Sequence, residues 1–128
     1  MSLIVDKIKK TATCKQVPII LFTKDGGHWV KDIVGSGCDA IGVDWTVNLS
    51  DIKKQVGDKV ALQGNLDPCV LYASPEVIQQ KAGEILEQFG HGSGHVFNLG
   101  HGVHPDMNPE HIAALVDAVH ELSRKYHL

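Results

Sequence analysis

A histidine between two glycines is the side chain in this sequence best placed to do chemistry. His101 follows a short apolar run at 96–99, and Gly100 and Gly102 lie on either side of it. The two glycines let the backbone turn tightly and leave the imidazole uncrowded. Packing gives no reason for a histidine at this position, and loop residues on a rigid scaffold often carry function. We therefore predict that His101 contacts a ligand.

Polar residues also end the three apolar runs that come earlier in the chain. They are Lys24-Asp25-Gly26, Asp44-Trp45 and Gly64-Asn65-Leu66-Asp67. In parallel α/β folds, ligands bind at the carboxyl ends of the strands, so these ends in succession predict a ligand-binding face. A structural explanation competes with this one. Asp25 and Asp67 stand in sequences that favour turns, and a buried Asp44 would need backbone hydrogen bonds to accept.

Metal and phosphate chemistry have weaker support in the sequence. His101, His104 and Asp106 are spaced as metal ligands can be. No cysteine or second carboxylate is near them in sequence, and Pro105 constrains the loop, so we predict no metal site. The glycine-rich run 90–94 precedes a predicted strand, which is the wrong context for a phosphate-binding loop. The other histidines predicted to lie at the surface or on helix faces are His91, His95, His111, His120 and His127.

Composition narrows the class of protein. The 128 residues are 43% hydrophobic and 21% charged, which favours one globular domain spanning 1–128. A net charge of -3 gives no bulk attraction to nucleic acid or an anionic membrane, and no apolar stretch approaches the roughly 20 residues of a membrane span. Three cysteines without a C-x-x-C pattern favour a reducing compartment, and we predict the cytoplasm. Cys38 and Cys69 have no adjacent base and are predicted to be small buried residues.

Four apolar runs alternate with amphipathic segments along the chain. The predicted strands are 17–22, 40–43, 60–64 and 96–99. The predicted helices are 3–14, 29–34, 48–56, 74–89 and 108–126. Trp29 belongs to the apolar stripe of the second helix, and either Asn48 or Ser50 caps the third, which ends at about 56. Capping signals begin two of them, at Ser74-Pro75-Glu76 and Asn108-Pro109-Glu110. Continuous apolar strands alternating with helices are typical of an α/β fold with a parallel sheet covered on both faces.

Four segments stand in a recognisable order and spacing. They are VPIILFTKDG at 17–26, GVDWTV at 42–47, LQGNLDP at 62–68 and FNLGHG at 97–102, the last followed by Pro109-Glu110-His111. The series resembles the carboxyl-terminal part of the uroporphyrinogen decarboxylase family. The resemblance implies a (β/α)₈ TIM barrel without cofactors, which works as a homodimer in haem biosynthesis. The family converts uroporphyrinogen III to coproporphyrinogen III by removing four acetate carboxyl groups, with the protonated pyrrole ring as electron sink.

The resemblance makes His101 a substrate-binding residue, since a histidine near neutral pH can donate to, or carry charge beside, a carboxylate. The family's carboxylate-binding arginines, its pyrrole-binding aspartate and a tyrosine and a serine of the pocket lie in its amino-terminal half. Asp44 and Asp67 do not take the place of that aspartate. Because a full barrel typically needs about 250 residues, we expect a truncated carboxyl-terminal half-barrel. It should be inactive alone and should dimerise or swap elements to cover its two open edges and its uncovered inner face.

Two alternatives stay open. A corrinoid or thiol methyltransferase of the same superfamily would hold zinc with a His-x-Cys at one strand end and a cysteine at the last. The corresponding positions here are Phe22-Thr23-Lys24 and Gly100-His101-Gly102, which offer no thiolate. The other alternative is a non-catalytic domain that binds a tetrapyrrole or a partner. An arginine-rich barrel half upstream in the source reading frame would favour the enzyme.

Overall fold

The computed structural model describes residues 1–11 and 17–127, and its centre is a parallel sheet of four strands. The strands are β1 (Ile20–Phe22), β2 (Ala40–Gly42), β3 (Ala61–Leu66) and β4 (His95–Leu99). The α-helices are α1 (Ser2–Lys10), α2 (Val30–Val34), α3 (Leu49–Val56), α4 (Pro75–Phe89) and α5 (Pro109–Leu122). Short 3₁₀ helices cover Gly26–Trp29, Pro68–Tyr72 and Ser123–Tyr126. Strands and helices alternate, as the sequence predicts.

The strands follow one another across the sheet in the order of the chain. The order is β1-β2-β3-β4, and each neighbouring pair is parallel. A doubly wound sheet reverses its order at a switch point, whereas a (β/α)₈ barrel keeps a continuous order with its helices outside. The four strands therefore have the arrangement of half such a barrel, which confirms the predicted fold class.

The two faces of the sheet differ sharply in burial. Ile41 and Leu62 pack in the core formed with the helices and are 1% and 0% exposed. The opposite face, here called the inner face, carries these residues: Ile20, Phe22, Gly42, Gln63, Val96 and Asn98. Of these, Phe22 and Val96 are 45% and 46% exposed. The exposed inner face agrees with the expected half-barrel. The expectation from the apolar runs, that the strands are covered on both faces, is wrong for the described residues, because their helices cover one face only.

Several element bounds differ from the prediction for local reasons. The helix predicted to reach 14 ends at Lys10, with Thr11 extended, and positions 12–14 lie outside the described residues. Pro18 has no N–H to donate, and β1 begins after it, at Ile20. A 3₁₀ turn with three residues per turn leads into α2, so Trp29 does not share the buried face and is 62% exposed. Among the described helices, none is long and apolar enough to cross a lipid bilayer.

Capping predictions hold at two helices and fail at one. The side chains of Asn48 and Asn108 each accept a backbone hydrogen bond of 2.9 Å at the start of α3 and α5. The Ser74 hydroxyl makes no such bond at the start of α4. The prediction that both cysteines are buried holds for Cys38 only. Cys69 is exposed, because it lies in the surface turn after β3.

Candidate functional site

Asp44, directly after β2, is a structural carboxylate. It is 2% exposed and accepts hydrogen bonds from the Thr46 N–H at 2.9 Å, from the Thr46 hydroxyl and from the Asp25 N–H. Burial opposes ionisation, but these donors and the charge of Lys24 outweigh it, so the pKa of Asp44 is lowered. All of its bonds serve the loops after β1 and β2. The structural explanation therefore holds for Asp44, since both oxygens of its carboxylate already accept hydrogen bonds.

Asn65 joins the ends of β2 and β3. Its side chain is 2% exposed, and Nδ2 donates to the carbonyls of Asp44 at 2.7 Å and Val47 at 2.8 Å. The neighbouring Gly64 carbonyl accepts from Nε2 of His95 at 3.0 Å. Together these bonds fix the irregular end of β3 against both adjacent strands. We call Asp44, Asn65 and His95, with the bonds just described, the buried polar network.

His95 does not lie at the surface as predicted. Its ring is half-buried and stacks on Phe89 of α4, with centroids 4.5 Å apart and planes at 13°. Burial lowers the pKa of His95, and the charges of Lys53 and His127 act in the same direction, against the opposing effect of the Gly64 carbonyl. A neutral ring with its hydrogen on Nε2 fits this setting.

The loop after β4 approaches the end of β2 at Gly100. Its N–H donates to the Leu66 carbonyl at 2.7 Å. A Cβ at Gly100 would overlap the backbone nitrogen of Trp45, whereas a Cβ at Gly102 would have no atom within 4 Å. Close approach therefore requires glycine at 100, and the space around 102 imposes no such requirement.

His101 is exposed at this carboxyl edge, between two aromatic side chains. The edges of Phe22 and Trp45 meet its ring at centroid distances of 6.4 Å and 5.9 Å, with interplanar angles of 68° and 88°. The imidazole lines an open cavity of about 450 Å³ on the inner face. The remaining lining residues are Phe22, Gly42, Val43, Gln63, Asn98, Leu99, Gly102 and Val103. The cavity is thus an apolar space in which only Gln63, Asn98 and His101 offer polar side chains.

Comparison with known proteins agrees with this geometry. The model of the uroporphyrinogen decarboxylase (URO-D) family matches residues 1–122. The chain belongs to the uroporphyrinogen decarboxylase family. It is 61% identical over 127 residues to the uroporphyrinogen decarboxylase of Nitrosococcus oceani and 56% identical over 127 residues to that of Hydrogenovibrio crunogenus. Each match covers 99% of this chain but only 36% of the relative. The chain therefore spans about a third of the length of these proteins.

A solved structure shares the fold. A methyltransferase from Methanosarcina mazei superposes with a TM-score of 0.73, and the match covers 91% of this chain and 34% of that one. The sequences are 23% identical in the match, so the likeness concerns the fold alone.

In this member of the uroporphyrinogen decarboxylase family, a tyrosine that sequence reasoning missed fastens the His101 loop. The Tyr72 hydroxyl donates to Oδ1 of Asp106 at 2.7 Å and lies 3.3 Å from Nδ1 of His104. This bond lowers the pKa of Asp106 and raises that of Tyr72. Met107, which is 5% exposed, anchors the end of the same loop. No sequence pattern signals a bond between residues 34 apart.

The backbone of Asp25 and the side chain of Asp67 shape the turns after β1 and β3, and the Lys24 side chain is exposed. Asp25 takes a left-handed conformation, with φ of 56°, before the first 3₁₀ helix. The Asp67 carboxylate accepts the Cys69 N–H at 2.9 Å and caps the turn after β3. In the part of the chain that the structure describes, no three His, Cys, Asp or Glu side chains come together as a metal-binding group. Of the strand-end residues, His101 lines the cavity on the inner face, whereas Trp45, Asn65 and Asp67 line a second open cavity of about 440 Å³.

Proposed function

We propose that this chain forms one side of the substrate site of a uroporphyrinogen decarboxylase. That enzyme converts uroporphyrinogen III to coproporphyrinogen III by releasing four acetate carboxyl groups as CO₂. The observation that carries the proposal is the exposed His101 imidazole, which lines an apolar cavity between Phe22 and Trp45. Membership of the family supplies the reaction and the substrate.

The role we assign to His101 follows from the chemistry of the reaction. When the bond between an acetate methylene and its carboxyl group breaks, the electron pair moves into a pyrrole ring protonated at its α-carbon, and CO₂ leaves. The methylene then takes up a proton and becomes a methyl group, and the ring loses its added proton. A histidine can donate a hydrogen bond to the substrate carboxylate in either charge state near neutral pH. The rings of Phe22 and Trp45 flank the His101 ring.

We also propose that residues 1–128 fold as one domain and contribute the carboxyl-terminal half of an eight-stranded barrel. The enzyme would work as a homodimer in the cytoplasm, in haem biosynthesis. Two observations support association: β1 and β4 are the edges of the described sheet, and the inner face exposes Ile20, Phe22 and Val96. Light scattering on this chain should show a dimer or a larger species. A stable monomer at high concentration would contradict association of the chain.

A chimera tests the proposed function. This chain would replace the matching third of the Nitrosococcus oceani protein, to which it is 61% identical. We expect the chimera to convert uroporphyrinogen to coproporphyrinogen, measured by chromatography of the oxidised porphyrins. We expect no turnover from the chain by itself, because the arginines and the pyrrole-binding aspartate that the family resemblance implies are not among its residues. A folded chimera without turnover would refute the proposed function.

The variant His101→Ala in the chimera tests the assigned residue. Loss of a hydrogen bond to a charged group should lower kcat/KM by at least about tenfold. The melting temperature should stay unchanged, because the His101 side chain is exposed and its contacts are ring edges. Unchanged kinetics would show that His101 does not contact the substrate.

A further inference from the structure

We propose that Gln63 and Asn98 join His101 in a carboxylate-binding subsite on the inner face of the sheet. The ligand class is a carboxylate attached to a flat, apolar ring. This inference rests on the proposed function and extends it from one substrate-binding residue to three. Neither amide is in a loop, so the subsite is built partly on the strands themselves.

The register of β3 and β4 brings the two amides together. Gln63 pairs with Val96, and Asn98 comes two residues after Val96 on the same strand. Alternate residues of a strand share a face, so Gln63 and Asn98 project from the same side of the sheet. Both line the cavity of about 450 Å³ that His101 also lines. Three polar side chains from β3, β4 and the following loop therefore face one space.

Among the described residues, the amides of Gln63 and Asn98 have no protein partner, as is also true of Gln55 and Gln79, which do not line the cavity. The amide of Asn65 donates two hydrogen bonds, and those of Asn108 and Gln88 accept backbone N–H groups. Within residues 1–11 and 17–127, the side chains of Gln63 and Asn98 make no hydrogen bond. Each primary amide carries two N–H donors and one carbonyl acceptor. These groups remain available to a ligand in the cavity.

The rest of the lining favours a carboxylate over a cation. Among the described residues that line the cavity there is no Asp or Glu. The nearby Asp44 carboxylate is held by Thr46 and Asp25, so it does not compete for the donors. A carboxylate in the cavity would meet N–H groups of Gln63, Asn98 and His101, while Phe22 and Val103 offer apolar contact for the ring that carries it.

Neutral donors also suit a carboxylate that must leave as CO₂. A group that binds the ground-state anion much more strongly than the transition state slows the reaction. Hydrogen bonds to ionised partners are strongest when both groups are charged. An arginine would stabilise the ground-state carboxylate strongly and so raise the barrier to its release as CO₂. Neutral amides can orient the carboxylate while raising that barrier less. We assign Gln63 and Asn98 to orientation of the substrate.

The test is uroporphyrin binding to the chimera, in which the other strands of the proposed barrel are present, measured by isothermal titration calorimetry. In Gln63→Glu and Asn98→Asp, a carboxylate replaces a donor at nearly constant size, so the Kd should rise at least about tenfold in each. Gln79→Glu makes the same charge change at an exposed position of α4 and should leave the Kd within about twofold.

Each contrary outcome overturns the subsite. Tighter binding by Gln63→Glu would mean that the amide accepts from pyrrole N–H groups. If Gln63→Met and Asn98→Leu leave the Kd unchanged, whatever their melting temperatures, neither amide binds the ligand. If the acidic variants fail to fold, the side-chain NH₂ signals of Gln63 and Asn98 in the unmutated chimera decide in ¹H–¹⁵N spectra. They should shift on addition of uroporphyrin, and their failure to shift would refute contact.

The proposed function and the subsite can fail separately. Weaker binding by the acidic variants combined with an inactive chimera would leave the subsite standing and remove the reaction. If the chimera converts uroporphyrinogen and its Gln63→Glu and Asn98→Asp variants keep the same kcat/KM, the proposed function would stand and the subsite would be refuted.

Discussion

The ends of β2 and β3 and the loop after β4 lie side by side at one edge of the sheet, yet they use polar residues in opposite ways. Asp44 and Asn65 are each 2% exposed, and between them they tie three segments of backbone together. His101 is exposed, and its ring makes only edge contacts with Phe22 and Trp45. Asp44 and Asn65 bond the scaffold together, although Oδ1 of Asn65 is buried without a hydrogen-bond partner among the described residues. The exposed His101 is the side chain that we propose for a ligand.

Asp44→Asn should have the largest effect on stability. The amide cannot accept all the bonds that the carboxylate accepts, and one of its own donors would face an N–H group. We expect a loss of about 3 kcal/mol in the free energy of unfolding, measured by urea titration. Asp51→Asn is the matched control, since the Asp51 carboxylate is 65% exposed and should change stability by less than about 0.5 kcal/mol.

The same variant should change the response to acid. The pKa of Asp44 is lowered from 3.8, so the unfolded chain binds this proton more readily than the folded one. The stability that the carboxylate contributes is complete above 3.8 and is lost as the pH falls through the lower folded value. Asp44→Asn should therefore lose less stability than wild type on acidification. Parallel acid profiles would show that Asp44 is not the group responsible.

Gly100→Ala and Gly102→Ala compare a glycine that is packed against the backbone of a neighbouring loop with one that has open space around it. A methyl group at 100 would overlap the backbone of Trp45, and we expect a loss of about 2 kcal/mol. At 102 the methyl group would meet no atom within 4 Å, so the change should stay below about 0.5 kcal/mol. Thermal unfolding of the two variants gives the comparison directly. Equal losses would mean that backbone freedom, and not close approach, requires these glycines.

His95→Phe keeps the ring on Phe89 but removes the donor to the Gly64 carbonyl. An unsatisfied buried carbonyl should cost about 1 kcal/mol in the free energy of unfolding. His95→Gln can restore the donor and should recover part of the loss. His28→Phe, at an exposed position, is the control and should be neutral. If His95→Phe leaves the free energy of unfolding unchanged, His95 does not contribute to the stability of the buried polar network.

The pH dependence of this variant has a definite sign. The pKa of His95 is lowered from 6.5, so the unfolded chain takes up this proton at a higher pH than the folded chain. Wild type should lose stability as the pH falls below 6.5, and His95→Phe should lack that part of the loss. Urea titrations at pH 8 and at about pH 5.5 measure the difference.

The sequence predicts the elements well and the polar contacts poorly, because periodicity and capping are local properties whereas the contacts are not. The strand positions, the amphipathic helices and the Asn48 and Asn108 caps follow from residues within a few positions of one another, whereas the barrel arrangement of the strands is implied by the family resemblance. The bond from His95 to Gly64 joins residues 31 apart, and no spacing rule reports it. His101 could be singled out because its setting between two glycines is itself a local signal. Gln63 and Asn98 acquire meaning only when the register places them in one cavity.

Tyr72→Phe should have the smallest effect on global stability, since the bond from its hydroxyl to Asp106 lies at the surface. The free energy of unfolding should be unchanged within the error of a urea titration. Local motion should increase, because this bond and the buried Met107 are what fasten the loop beyond His101. We expect amide hydrogen exchange at 101–106 to rise about threefold or more, with exchange in α4 unchanged. In the chimera, KM should rise while kcat falls little, since a looser His101 is still present to bind. Unchanged exchange together with unchanged KM would show that Gly100 and the two aromatic rings are sufficient to position the histidine.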